Sequence, residues 1–293
     1  MKIIDSFMFF DENMLLDLRL NILDNYVSKF IVCESTYSHS GKKKKLNFDI
    51  NNFPKFRSKI EYIVSDKEPD NLKKIKNEDS IALKESKTLD NALIRENFQR
   101  NFAHEKLLEV DDNDLILIND LDEIPDLSNF SYQKKITIFK QKMLYFKFNL
   151  MYKNLSWTGS KICKKKDFIN PQWLRNIKTK KYPLWRLDIF FSNKKYNNIK
   201  VIKNGGWHFT NIKTAEEIHN KMKNFLHHYE YEKSGLNTLH IEKLIKNKKA
   251  LYNYSADQRV NKWTNNSELE KINLDYLPKY INENKLKYKD WLG

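Results

Sequence analysis

Asp120, Asp122 and Glu123 place three carboxylates within four residues, a pattern that suggests chemistry. They come directly after residues 115–118, a short apolar run that is typical of a buried strand. Carboxylates this close repel one another unless a cation or a donor offsets the charge. Hard divalent cations take such oxygen ligands, and Mg²⁺ often bridges them to substrate phosphates. The pattern favours a metal site at Asp120 and Asp122 over its alternative, a solvated acidic turn.

A glycine pair, Gly205 and Gly206, precedes Trp207 and His208 in a second suggestive segment. Paired glycines permit close backbone approach or positive φ angles. A tryptophan can stack on a sugar ring, and a neutral imidazole can ligate a metal ion. We therefore predict that Gly206 lines a ligand site, that Trp207 lines it or packs beneath it, and that His208 is a further metal ligand or a donor to a phosphate. A structural histidine in a turn is the alternative.

Polar residues near two other predicted elements could meet the same ligand. Glu34 and Ser35 end the apolar run at residues 30–33, so we expect them to face the cleft and contact a nucleotide or its ribose. Arg95 and Arg100 lie on a predicted helix, and the arginine fork suits phosphate oxygens. A solvated helix face is the alternative explanation of the two arginines.

The first 125 residues alternate strand and helix patterns, which indicates an α/β fold with a mixed central sheet flanked by helices. Strands are predicted at residues 3–10, 30–33, 60–64 and 115–118, and helices at about 13–27 and 90–110. The polar residues gather where strands end. Ligands of such sheets bind beyond the carboxyl ends of the strands, so the candidate residues are expected to meet there.

The second half has a different pattern. Residues 145–152 alternate in polarity, which predicts one antiparallel strand. Thr214 and Glu217 form a capping box that predicts a helix start. The C-terminal residues read as a helical extension with a turn at 276–280. Because no linker or change in composition marks a boundary, we predict a single domain over residues 1–293.

The charge of the chain limits its partners. Lysine and arginine number 53 against 38 acidic residues, a formal net charge of +15 that suits a phosphate-bearing ligand or an anionic membrane surface. A lysine-rich composition imposed by an AT-rich genome is the alternative. We see no membrane-spanning run and no signal peptide, and two cysteines cannot form a disulfide framework. We therefore expect a cytoplasmic protein, with peripheral contact at the inner membrane face left open.

Several common functions lack their sequence motifs. The chain has no Walker A motif, no G-x-G-x-x-G, no G-x-S-x-G, no H-E-x-x-H and no C-x-x-C. It also lacks helix-turn-helix, zinc-finger and RRM signatures, so no nucleic-acid partner is expected. A non-catalytic protein that binds carbohydrate or nucleic acid through a basic, aromatic surface remains the alternative to an enzyme.

A series of short motifs runs along nearly the whole chain, namely Asp5-Ser6-Phe7, Leu15-Leu16-Asp17-Leu18-Arg19-Leu20, Val32-Cys33-Glu34-Ser35, Gly41, Leu46, Phe48, Arg95-Glu96, Gln99-Arg100, Asn119-Asp120-Leu121-Asp122-Glu123-Ile124-Pro125, Gly205-Gly206-Trp207-His208-Phe209 and Tyr276-Leu277-Pro278-Lys279-Tyr280. In these motifs the chain resembles glycosyltransferase family 17. Each motif is short, but their joint order is specific. The resemblance implies a GT-A-like fold and an inverting transfer from a UDP-sugar, with UDP-GlcNAc as the expected donor.

The resemblance also implies roles for parts of the chain. Asp120 and Asp122 match a D-x-D-like motif that holds Mn²⁺ or Mg²⁺ on the donor diphosphate. Residues 1–125 would form the nucleotide-sugar-binding half, and residues 126–293 the acceptor-binding half with the C-terminal helices. The chain shows no anchor segment of the kind seen in animal members, so a glycan or lipid-linked saccharide acceptor is expected rather than a glycoprotein.

An inverting transfer needs a carboxylate that takes the proton of the acceptor hydroxyl. Glu123 is adjacent to the metal motif, and Glu230 lies in a cluster with His227 and His228. Asp188 lies between the central motif and the Gly-Gly-Trp-His turn, in a stretch expected to border the acceptor cleft. We favour Asp188 as the base, with a salt-bridge role as its alternative.

Overall fold

The computed structural model describes residues 1–180, 182, 185–186, 188, 191–254, 263 and 267–293. The strands are β1 (Ile3–Phe9), β2 (Lys29–Ser35), β3 (Ile60–Ser65), β4 (Leu115–Ile118), β5 (Glu123–Pro125), β6 (Ile136–Phe139), β7 (Gln141–Tyr145), β8 (Leu150–Trp157), β9 (Lys161–Lys164), β10 (Ile199–Ile202), β11 (Gly206–Thr210) and β12 (Leu269–Lys271). The helices are α1 (Asn13–Leu23), α2 (Ile81–Asn101), α3 (His104–Leu108), α4 (Pro171–Asn176), α5 (Ala215–Met222), α6 (His228–Lys233), α7 (Thr238–Lys246) and α8 (Lys279–Glu283).

The strands form two mixed sheets with helices packed around them, which confirms the predicted α/β class. The larger sheet has the order β10-β6-β9-β4-β1-β2-β3, in which β4, β1, β2 and β3 run parallel. β9 joins this sheet antiparallel to both β4 and β6. The smaller sheet has the order β12-β8-β7-β11-β5. This arrangement is compatible with a GT-A-like fold.

The parallel strands agree closely with the apolar runs in the sequence. All four residues of β4 are buried, as are the central residues of β1 and β2. A strand covered on both faces is apolar over most of its length, which explains why these runs were recognisable. α1 covers one face through Leu16, Leu20 and Leu23. α3 and α4 contribute to a separate apolar cluster together with residues of β4 and β6.

The predicted helix at residues 90–110 is in fact two helices. α2 begins at Ile81, where the Ser80 hydroxyl accepts a hydrogen bond from Leu83 N at 3.3 Å, and ends at Asn101 before α3. The early start was missed because the N-terminal half of α2 has no buried residue and therefore no apolar face.

The prediction of one continuous strand at residues 145–152 is wrong. The segment contains the end of β7, a tight turn and the start of β8, which pair antiparallel as a hairpin. Phe146 has a φ of 64°, and Phe148 N bonds to the carbonyl of Trp291 at 2.8 Å. Both phenylalanines are buried, so the turn keeps the alternating polarity that we attributed to a continuous strand.

Other local predictions are confirmed. Thr214 and Glu217 form the predicted capping box at the start of α5. The division of the chain into two halves at residue 125 stays a prediction; in the structure this residue ends β5, which belongs to the smaller sheet.

Candidate active site

A cavity of about 500 Å³ lies beyond the carboxyl ends of the parallel strands. Its lining includes residues that follow β1, β2 and β4, among them Phe10, His39 and Asp122. β7, β8 and β11 of the smaller sheet contribute a second wall, and α2 and α5 add side chains from the helical layer. This is the position where the topology of the parallel strands predicts a ligand.

Asp120 lies between two arginines at this cavity. Its Oδ1 is 3.0 Å from Arg100 Nη2, and its Oδ2 is 2.6 Å from Arg175 Nη2. Burial would raise the pKa of Asp120, but the two guanidinium groups outweigh it and hold that pKa well below its usual range. Asp120 is therefore a carboxylate whose charge is already balanced within the protein.

Glu123 is fully buried behind the cavity wall. Arg175 binds it through both carboxylate oxygens, with distances of 2.6 and 2.7 Å, and Trp157 Nε1 donates to the same group. Burial would lower the pKa of Arg175, but the neighbouring carboxylates of Asp120 and Glu123 raise it instead. Glu123 therefore holds Arg175 and Trp157 in place.

Arg19 supports the loop that carries the carboxylates from beneath. This arginine of α1 is completely buried and pairs with Asp5 of β1 at 2.7 Å. Its Nη1 also donates to the carbonyl oxygens of Leu121 at 3.2 Å and Glu123 at 2.6 Å. Two charges inside the apolar layers thus fix the backbone of the acidic loop.

Asp122 and His208 meet at the cavity as the sequence predicted. His208 Nε2 is 3.5 Å from Asp122 Oδ1, and Lys221 Nζ of α5 is 3.9 Å from Asp122 Oδ2. Lys221 also lies 3.1 Å from Glu12. Burial would lower the pKa of Lys221, but Glu12 and Asp122 outweigh it and raise the pKa, so the ammonium charge is retained.

Aromatic rings extend the wall beyond His208. Trp157 stacks on His208 with ring centroids 4.9 Å apart. Tyr254 contacts Trp157 edge to face at 6.2 Å, and Tyr252 contacts Tyr254 at 4.9 Å. These rings line the cavity together with Tyr145. One part of the cavity is therefore charged and another part aromatic.

Glu34 and Ser35 lie outside the cavity lining. Glu34 is fully buried and accepts hydrogen bonds from Lys44, from the backbone N–H groups of Asn47 and Phe48, and from the Tyr62 hydroxyl at 2.9 Å. The Ser35 hydroxyl accepts from the N–H of Tyr37 at 3.1 Å. Both residues shape the loop after β2, whereas the sequence predicted that they contact a nucleotide. That contact stays a prediction.

Two predicted phosphate ligands have different positions. Arg100 reaches the site through Asp120, and it also pairs with Glu96 at 2.6 Å. Arg95 binds Glu68 at 2.7 Å, and its guanidinium lies against Gly41, where a Cβ atom would be 2.8 Å away. Arg95 does not line the cavity in the described part of the chain.

Gly206 and Trp207 have structural contacts. Gly206 has a φ of 125°, and a Cβ atom there would lie 2.2 Å from the carbonyl oxygen of Ile124. Side chains alternate along β11, so Trp207 points away from His208 and donates to the carbonyl of Tyr276 at 2.7 Å. Trp207 therefore packs beneath the site, which is one of the two positions that we expected.

The favoured base, Asp188, is on the exterior. Both of its carboxylate oxygens bind Arg186, at 2.7 and 2.8 Å, and one also binds Lys195. Glu230 is of intermediate burial, with its side chain 42% exposed, and lies 3.3 Å from His227 Nδ1. Neither carboxylate belongs to the described lining of the cavity. The described lining holds four other carboxylates, those of Glu12, Glu96, Asp120 and Asp122.

Sequence reasoning gave no role to several residues of the site, among them Arg19, Trp157, Arg175 and Lys221. Arg19 had a signal, since an arginine among leucines on α1 and an aspartate within apolar β1 are expected to pair. Arg175 also had one, because Asn170 followed by Pro171 is a typical N-cap and first helical residue, and the Asn170 side chain does cap α4. Trp157 and Lys221 had none beyond their residue type.

The described residues fit a metal ion only in part. Among them, no three His, Cys, Asp or Glu side chains converge on a point that could hold an ion alone. Mg²⁺, however, commonly uses one or two carboxylates and completes its shell with water and substrate phosphates. Asp122, with His208 beside it, could supply the protein side of such a site, whereas Asp120 has both oxygens engaged by arginines.

Comparisons with known proteins bear on the whole chain. The family model described as Glycosyltransferase family 17 matches residues 1–292. A comparison with curated proteins gives no significant match. Among the described residues, no helix has both the length and the apolar character needed to cross a membrane.

Proposed function

The chain belongs to glycosyltransferase family 17 and has a glycosyltransferase role, and from this premise we propose that the cavity binds a UDP-sugar and a saccharide acceptor together. The proposed reaction is an inverting transfer, with UDP-GlcNAc as the donor that the family resemblance implies. One observation supports this proposal above the others. A charged region built around Asp122 and an aromatic region built around Trp157 share one cavity at the ends of parallel strands.

The charge of the lining supports a cation in the donor site. Four carboxylates and three cationic side chains line the described part of the cavity. A diphosphate adds further negative charge, so its binding requires additional positive charge or an exchange of ion-pair partners. We propose that Mn²⁺ or Mg²⁺ is held at Asp122 with His208, and that Asp120 joins them only when an arginine releases one of its oxygens. When bound, the metal would offset the charge that develops on the departing UDP.

Lys221 and Trp157 would act on the two principal residues of this site, Asp122 and His208. Lys221 stays protonated between Glu12 and Asp122, so it limits the repulsion between Asp122 and a phosphate. Trp157 covers one face of His208 and is fixed by its hydrogen bond to Glu123. The imidazole is thereby held in one orientation toward Asp122.

The aromatic region is the proposed acceptor site. Tyr145, Trp157, Tyr252 and Tyr254 give it broad apolar ring faces near the charged region. Sugar rings expose C–H faces that pack on aromatic rings, while hydroxyl groups at the ring edge remain free for hydrogen bonds. A glycan or a lipid-linked saccharide would therefore present a hydroxyl toward the donor.

The base must lie within reach of that hydroxyl. Asp188 remains the prediction from sequence, but its exposed position and its pairing with Arg186 favour a carboxylate of the cavity wall. We propose Glu96, which lines the cavity and is bound by Arg100 through one oxygen. Burial would raise the pKa of Glu96, but Arg100 and His39 lower it, so the carboxylate is ionised and able to accept a proton at neutral pH.

Metal dependence is tested by UDP binding with and without Mn²⁺. For the wild-type protein we expect Mn²⁺ to strengthen UDP binding and chelation to abolish transfer. Asp122→Asn should remove most of that gain, on the order of 100-fold, because it removes the proposed carboxylate ligand. Asp126→Asn is the matched control, since Asp126 is outside the cavity lining and binds Ser128. Full transfer by Asp122→Asn in chelator would contradict the proposal.

Kinetics of two amide variants test the base. Glu96→Gln keeps the shape and the bond to Arg100, so we expect kcat to fall about 100-fold or more while UDP affinity stays near wild type. Asp188→Asn should retain kcat. The reverse result would return the assignment to Asp188, and a loss only in Glu123→Gln or Glu230→Gln would transfer it to that residue.

A further inference from the structure

Arg175 presents a largely buried guanidinium to the charged region of the cavity. It lies in the last turn of α4, and its side chain is 13% exposed. Nη1 is 2.6 Å from Glu123 Oε2, and Nη2 is 2.7 Å from Glu123 Oε1. Nη2 is also 2.6 Å from Asp120 Oδ2. The fork to Glu123 thus uses two donors, and the bond to Asp120 adds a third.

The orientation of Arg175 does not depend on Asp120. Glu123 is fully buried and is held by the Trp157 indole as well. At Gly159 a Cβ atom would lie 2.0 Å from Glu123 Oε1 and 2.2 Å from Arg175 Nη1, so only glycine leaves room for this pair. Lys161 Nζ donates to the carbonyl oxygens of Arg175 and Ile177 and fixes the end of α4.

Arg175 has donors to spare. A guanidinium has five N–H donors, and three bonds to described residues are made here, none of them from Nε. Asp120 is secured a second time, because its other oxygen binds Arg100 at 3.0 Å. If Arg175 released Asp120, Asp120 would still pair with Arg100, and Arg175 would still pair with Glu123. The contact between Arg175 and Asp120 is therefore the one that can be exchanged without leaving a buried charge unpaired.

We infer that Arg175 binds the diphosphate of the donor directly, exchanging its contact with Asp120 for phosphate oxygens while Glu123 keeps it in place. This inference rests on the proposed function. The arginine fork matches phosphate oxygens in shape and charge, and such charge-assisted hydrogen bonds are about twice as strong as neutral ones. In the absence of ligand, Asp120 occupies the place of the phosphate. Release of Asp120 also frees one of its oxygens at the moment when the donor arrives.

The test measures binding of UDP and of inorganic pyrophosphate by calorimetry, each with Mn²⁺ and with chelator. Arg175→Lys keeps the charge but loses the fork, so we expect affinity for both probes to fall about tenfold under both conditions. Asp120→Asn should have the opposite effect in chelator. It removes the competing carboxylate, so both probes should bind about tenfold more tightly than to wild type, and the double variant should lose that gain.

Arg57→Lys is the matched control, because Arg57 is exposed and binds Asn51. Thermal denaturation of each variant separates a loss of fold from a loss of binding. Unchanged affinity in Arg175→Lys, or no gain in Asp120→Asn with chelator, would overturn the inference. A loss in Arg175→Lys that appears only with Mn²⁺ would also overturn it, since Arg175 would then act only through the metal. If the wild-type protein binds neither probe under any condition, the proposed donor itself is wrong.

Discussion

At the scale of single residues, the structure uses buried charges to build the site. Asp5 and Arg19 lie among the buried apolar residues of β1 and α1, and both are completely buried. Burial raises the pKa of Asp5 even though Arg19 and Asn119 bind its carboxylate. Such a pair is a weak source of stability compared with apolar packing. Its use here is to deliver the Arg19 guanidinium to the carbonyl oxygens of Leu121 and Glu123.

Removal of Arg19 should therefore damage both stability and the site. Arg19→Met leaves Asp5 buried without its cation, and we expect the free energy of unfolding to fall by about 3–5 kcal/mol. Urea denaturation followed by circular dichroism measures this change. Arg57→Met, which removes an exposed arginine, should change stability by less than about 0.5 kcal/mol. Similar losses in the two variants would contradict the role given to the buried pair.

The sequence predicted the members of the site better than their partners. Asp120, Asp122 and His208 were expected to meet, and they line one cavity. A buried strand fixes where its C-terminal residues lie, so this meeting follows from local patterns. Arg175 comes from α4, which the sequence did not assign, and its pairing with Glu123 joins segments 52 residues apart. Pairing between distant segments depends on tertiary packing, which no local pattern encodes.

At the scale of elements, the sequence predicted a strand or helix correctly where burial gives its residues one clear periodicity. The prediction failed where a turn has the same pattern of buried residues as a strand. β4 is wholly buried and was found at its true bounds. The β7–β8 hairpin was read as one strand because Phe146 and Phe148 of its turn are buried as in a strand. α2 was shortened because the start of this helix has no buried side chain. The periodicity of apolar residues therefore indicates which residues are buried. It indicates secondary structure only indirectly, through that pattern of burial.

The contact between β5 and β11 depends on Gly206. Gly206 has a positive φ, and a Cβ atom at this position would lie only 2.2 Å from the carbonyl oxygen of Ile124. Any side chain is therefore excluded unless the two strands separate. We expect Gly206→Ala to lower the free energy of unfolding by about 3 kcal/mol or more, measured by urea denaturation. Gly235→Ala is the matched control: φ is 68°, and a Cβ atom there meets nothing within 4 Å. It should cost only about 1 kcal/mol. Equal effects would show that the backbone conformation, rather than the strand contact, matters.

At the scale of the whole molecule, the two sheets supply different parts of the cavity lining. The parallel strands bring the charged residues, as β1, β2 and β4 end at one edge. The smaller sheet brings His208 on β11 and Trp157 on β8. Glu123 of β5 links the two sides through Arg175 and Trp157. A displacement of one sheet against the other would therefore separate the charged region from the aromatic region.

The excess of positive charge predicts binding to anionic membranes. The net charge is +15, and near the C-terminus Lys285 and Lys289 lie exposed on either side of Leu286, which is 87% exposed. Each lysine near an anionic surface contributes about 1 kcal/mol, and salt screens the attraction. We expect co-sedimentation with phosphatidylglycerol vesicles at about 50 mM salt and release at about 500 mM, where the Debye length is far shorter. Lys285→Glu with Lys289→Glu should weaken binding more than Lys67→Glu with Lys74→Glu, which changes the net charge equally at other exposed positions. Equal binding to neutral phosphatidylcholine vesicles, or binding that ignores salt, would contradict an electrostatic contact.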